Sequence, residues 1–189
     1  MFQYFSMISP FLVVLLFVLI SVINSNLKGM IYLLGIILLF FIVVMFQNVL
    51  RGEVDPNQHP YCKLFTGSPE INGIPSFNSA IFLFTFIYMF LPMFLHGIMN
   101  FPLVVILLSL YAMDVVMKTS NRCTSPSGVI LGSFVGLIWG ITWYFIIKSQ
   151  NSELLYYDDL ISNKVACSRP TQQQFKCSVY KNGELLKTL

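Results

Sequence analysis

The chain has 189 residues, 56% hydrophobic and only 10% charged, with a mean hydropathy of +0.75. A soluble domain carries about 25% charged residues, so a soluble fold of this length is excluded and lipid must solvate much of the surface. The net charge of +3 is small and dispersed, which argues against a nucleic-acid groove.

A spanning helix needs roughly 20 mainly apolar residues, and five stretches are read as spans, at about 4–23, 30–50, 80–99, 102–117 and 129–147. The first holds Pro10 near its start and no Lys or Arg. It therefore lacks the basic leader of a cleaved signal peptide and reads as a retained helix. The fourth is the shortest. Asn24 to Gly29 and Asn100 to Phe101 are tight turns, which predicts antiparallel helix pairs. The segment 51–79 is long and punctuated by Pro56, Pro60, Pro69 and Pro75. Loops above about 12–15 residues are usually functional or disordered, and Tyr61, Leu64, Phe65 and Ile74 give this one apolar surface to pack on a partner. The expected fold is an all-α integral membrane protein, a helical domain over 1–148 followed by a soluble tail over 149–189.

Five spans place the two chain ends on opposite sides of the bilayer. Arg51, Lys63, Lys118 and Arg122 fall on the first side, and Lys28, Lys148 and Lys164 on the second. Four against three does not decide orientation by the positive-inside rule.

Gly128, Gly132, Gly136 and Gly140 recur every four residues, which puts them on one face of the fifth helix. Small residues at that spacing let two backbones approach closely in lipid. The partner is either a helix of the same chain or a second copy or subunit, which makes the stripe an oligomer seam. Trp143 and Tyr144 suit an interfacial aromatic belt.

Asp114 is the acidic residue within a predicted span, and intramembrane carboxylates are functional candidates by default. Lys118 follows four residues later, the spacing of a helix-supporting ion pair. A structural pair and an ion or proton pathway are the two readings. Pro126-Ser127-Gly128 resembles part of the signature of type-2 phosphatidic acid phosphatases, whose chemistry needs a histidine after the glycine. Here that position is Val129, and no histidine follows His96. No catalytic set, and hence no enzyme, is expected. His59, Cys62 and Cys123 fall short of the four ligands of a structural zinc, so neither a metal nor a cofactor is expected.

Cys62 and Cys123 lie in the two loops of one side, and Cys167 and Cys177 in the tail. Each pair has a disulfide and a thiol reading. Since one compartment is usually reducing, oxidation of one pair is expected. The tail opens with a short amphipathic helix expected over Asn151 to Ile161. It closes with a hairpin over 173–188, because Asn182-Gly183 is a preferred two-residue turn. The implied register sets Lys181 opposite Glu184, Tyr180 opposite Leu185 and Val179 opposite Leu186. Together with Phe175, these residues form a candidate docking surface, since a lone hairpin is marginal in water.

The tail stretches Cys167-Ser168-Arg169-Pro170 and Phe175-Lys176-Cys177-Ser178-Val179-Tyr180-Lys181-Asn182-Gly183 resemble those of small multi-pass membrane proteins of large double-stranded DNA viruses. Pro75-Ser76-Phe77-Asn78 and Asn121-Arg122-Cys123 are similar to that group as well. The resemblance implies a structural protein of a virion inner membrane, joined to capsid proteins through the loop 51–79 and the tail. It also implies an encoded thiol oxidase as a source of disulfides. The alternatives are an accessory subunit of a cellular or organellar membrane complex, and a degenerate lipid-phosphate phosphatase or small transporter.

Overall fold

The computed structural model describes residues 2–50, 62, 74–151, 154–156, 178–181 and 184–188. Five helices follow in order: α1 (Phe2–Ile23), α2 (Lys28–Leu50), α3 (Phe77–Leu95), α4 (Phe101–Ser120) and α5 (Pro126–Gln150). Of these, α2 to α5 are each long and apolar enough to cross a membrane, and on that ground the chain is membrane-integral. In α1 the stretch Ile8–Ile23 is apolar too.

The helix ends follow local chemistry. Asn100 caps α4 by accepting from the Leu103 N–H at 3.3 Å, and Ser125 caps α5 by accepting from the Gly128 N–H at 3.2 Å. Side-chain oxygens at these positions satisfy N–H groups that lack an intrahelical partner. Pro102 and Pro126 stand in the first turns, where the missing N–H costs nothing. The third helix stops at Leu95, short of the expected 99, because Gly97 adopts φ +68° and turns the chain toward α4. Conversely, α4 runs on to Ser120, beyond the expected 117.

Contacts define two ends of the bundle. At one, Gln47 Nε2 donates to the Pro75 carbonyl at 2.8 Å, and the Ser76 N–H donates to the Gly128 carbonyl at 2.9 Å. The end of α2 and the starts of α3 and α5 therefore meet there, together with Pro75 and Ser76; this is the loop end. The α1–α2 and α3–α4 turns mark the other, the tail end, where α5 finishes. Thus the helices run alternately up and down.

The central helix is α3, whose residues Phe77 to Phe82 are all buried. It packs most extensively on α5. Outward faces carry Leu34, Ile37, Phe41 and Met45 of α2, Val105 and Val116 of α4, and Phe134 and Ile138 of α5, all exposed. In water such a surface would aggregate; in hydrocarbon it matches its solvent. Three polar side chains inside the spans pair across helices: Tyr32 Oη with Thr85 Oγ1 at 2.6 Å, Tyr111 Oη with Ser133 Oγ at 2.6 Å, and Trp139 Nε1 donating to the Gly35 carbonyl at 2.9 Å. Tyr111→Phe, which keeps the ring but loses the hydroxyl bonded to Ser133, is expected to cost about 0.6 kcal/mol and at most about 1.7 kcal/mol, the measured range for such bonds in bilayers. Denaturant unfolding in lipid–detergent mixtures would register it.

The helical unit extends to Asp158, past the expected boundary at Lys148, and Asp159–Leu189 forms a second unit. In that unit, β1 (Ser178–Lys181) and β2 (Glu184–Thr188) pair antiparallel. Lys181 faces Glu184 and Tyr180 faces Leu185, but Val179 faces Lys187 and not Leu186. A register shift between Val179 and Tyr180 accounts for the difference, because a bulge opposes two residues to one. Phe175, Asn182, Gly183, Cys167 and Cys177 lie outside the described residues.

Candidate functional site

The site begins with α4, which carries an acid and a base one turn apart. Asp114 Oδ2 and Lys118 Nζ are 3.2 Å apart, and both side chains are wholly buried. Two charges inside a membrane bundle require further partners, because burial without them costs several kcal/mol per ion. The neighbouring helices provide them. Ser6 of α1 donates from Oγ to Asp114 Oδ1 at 3.3 Å, and Asn78 of α3 hydrogen-bonds the same carboxylate. Three helices thus converge on one carboxylate near the loop end. Such an arrangement fixes which faces of α1, α3 and α4 meet.

Above this cluster lies the disulfide. Cys62 is joined to Cys123, with Cα atoms 5.5 Å apart. Both residues are buried, and the Cys123 N–H donates to the Lys118 carbonyl at 2.9 Å. The bond ties Cys62 to the turn that follows the ion pair. In non-reducing peptide mapping, Cys62→Ser and Cys123→Ser are each expected to abolish the same crosslinked peptide. A crosslink from either residue to Cys167 or Cys177 would contradict this pairing.

The glycine stripe faces inward, onto α3. A Cβ at Gly132 would stand on the Ser76 carbonyl oxygen, and one at Gly136 on that of Ala80. At Gly140 it would come within 3.1 Å of the Phe84 carbonyl oxygen. These three glycines therefore seat the backbone of α3 and form an intramolecular seam. Gly128, in the first turn of α5, has only side chains nearby, Thr124 Cγ2 at 2.9 Å and Ile74 Cγ1 at 3.2 Å.

A second close approach went unread in the sequence. Gly35 of α2 leaves room for Trp143, whose Nε1 would lie 2.6 Å from an added Cβ. Trp143 and Tyr144 are consequently buried and do not form the expected interfacial belt. Lys148 sits over the Tyr144 ring at 5.7 Å. Gly35 was the signal, a lone glycine in an otherwise bulky apolar run. Ser6 and Asn78 were legible only as polar residues near helix starts.

His59 lies outside the described residues, and His96 is exposed in the α3–α4 turn. Among the described residues no group of three His, Cys, Asp or Glu side chains is placed to hold a metal. Comparisons of the chain with models of known protein families, with curated proteins and with solved structures return no match.

Proposed function

We propose that this chain is a structural membrane protein, without catalytic activity, that anchors a larger assembly. In this reading α1 is a fifth span, and the loop 51–79 and the tail present contact surfaces on opposite sides of the bilayer. The observation that carries the reading is the Asp114–Lys118 pair. Its two groups are wholly buried against each other, and the carboxylate is also engaged by Ser6 and Asn78, which suits a rigid support better than a group that must bind and release an ion. The intramolecular glycine seam and the disulfide add to the same rigidity.

The assembly proposed is a virion, with the protein in its inner membrane and capsid proteins as partners. This rests on the resemblance of the 167–170 and 175–183 stretches and of the 75–78 and 121–123 motifs to viral membrane proteins. The test is a photo-crosslinker at Tyr180 or Leu185 in the native membrane, followed by identification of the captured protein. A capsid protein is expected. Capture of a subunit of a cellular membrane complex would replace this reading with that of an accessory subunit.

A further inference from the structure

After α5 ends at Gln150, Asn151 is extended at φ −161°, and the chain comes back to the bundle at residues 154–156. Residues 152–153 and 157–161 of the short amphipathic helix expected over Asn151 to Ile161 lie outside the described residues. Leu155 is buried, and Tyr156 reaches between α1 and α2. Its Oη donates to the Phe17 carbonyl at 2.6 Å, and its ring meets Phe17 edge-on at 5.6 Å and Tyr32 at 6.3 Å. The Phe17 carbonyl belongs to the helical ladder, and a carbonyl oxygen has a second lone pair to accept this additional donor.

The receiving surface is shaped for that tyrosine. A Cβ at Gly29 would come within 2.9 Å of Tyr156 Oη. The Gly29 N–H donates to Ser21 Oγ at 2.7 Å, and Ser21 Oγ donates to the Asn26 carbonyl at 2.6 Å. The α1–α2 turn is thus stitched by Ser21, and glycine at 29 leaves the room that Ser21, which an added Cβ would meet first, shares with Tyr156. Tyr156 is close to the end of the helical unit at Asp158, so it stands at the root of the tail.

We propose that Tyr156 is a latch that fastens the chain leaving α5 to the α1–α2 turn, coupling the end of α5 to the seating of α1. The latch does not depend on the docking reading above, and a failure to capture a capsid protein would leave it standing.

Hydrogen exchange of the full-length protein in lipid nanodiscs tests it. The amides of Asn24, Asn26 and Gly29 report the α1–α2 turn, and those of His96 and Ile98 report the α3–α4 turn at the same end of the bundle as an internal control. Y156F is expected to speed exchange at the first turn about fivefold, the equivalent of one hydrogen bond of ordinary net strength. Y156A should speed it further, and the control turn should be unchanged in both. A response to Y156A alone would assign the latch to ring packing and leave it in place. Unchanged exchange in Y156A, or an equal rise at both turns, would overturn it.

Discussion

Gly136→Val is expected to be among the most damaging single substitutions in the membrane helices. An added Cβ there meets the carbonyl oxygen of Ala80 and lies 2.8 Å from its Cα. These are backbone atoms of a helix, which cannot swing aside as a side chain can. Overpacking of a fitted interior costs about 1–3 kcal/mol, occasionally more, and valine brings two further methyl groups against the same helix. Gly132 meets the Ser76 backbone in the same way, so Gly132→Val should be comparable. Gly128 should be milder, because the neighbours of its added Cβ are side-chain atoms of Thr124, Ile74 and Ser125. On the outer face, Ile138 is 60% exposed, and Ile138→Val should stay within about 0.5 kcal/mol. Denaturant titration of the protein in mixed micelles would rank the four. A ranking in which Gly128→Val equals Gly136→Val, or a loss of oligomer with an intact monomer, would show that the stripe serves another surface.

The second large effect is expected at Asp114. Removing one member of a buried pair leaves an uncompensated charge and costs about 3–5 kcal/mol, so Asp114→Ala should strongly destabilise the bundle. Replacing both partners with apolar residues of similar volume is often neutral. The double variant Asp114→Leu with Lys118→Met should therefore regain most of the loss, and a double-mutant cycle gives the coupling. Ser6→Ala should cost far less, since it removes a single hydroxyl from a carboxylate that keeps Lys118 and Asn78. The cycle also separates a structural pair from an ion pathway. A double variant that folds well but abolishes a measurable flux across vesicles would mean that the pair conducts.

Much of this architecture was legible because bilayer thickness demands long apolar runs, and 30–50 and 129–147 meet that demand without ambiguity. Boundaries shifted where a local conformation overrode hydropathy. The left-handed Gly97 ended α3 early, and Lys118, read as the water boundary of α4, is buried on Asp114. The glycine period identified a face of α5, but periodicity names no neighbour; only the fold shows that the face meets Ser76, Ala80 and Phe84. Ser6 and Tyr156 were invisible for the same reason. Each makes its contact across more than a hundred residues of sequence, with Asp114 and Phe17 respectively, and nothing local in the chain marks such a pairing. In contrast, the alternation of spans put Cys62 and Cys123 in connections at the same end, but left open whether that pair or the tail pair is oxidised; the fold joins Cys62 to Cys123.

The proposal is that a rigid helical support holds two soluble parts on opposite sides of a membrane. It is tested most directly by labelling single cysteines in sealed vesicles with a membrane-impermeant maleimide. Cys62 and Cys123 stay paired, and the reporters are Ser68→Cys in the loop with Cys167 and Cys177 both replaced by Ser and, in a separate variant, the native Cys177 with Cys167→Ser. The account predicts that in vesicles of one orientation only one of the two reporters is labelled, the other reacting only after permeabilisation. Labelling of both from the same side would contradict it, because α1 to α5 could not then all be spans.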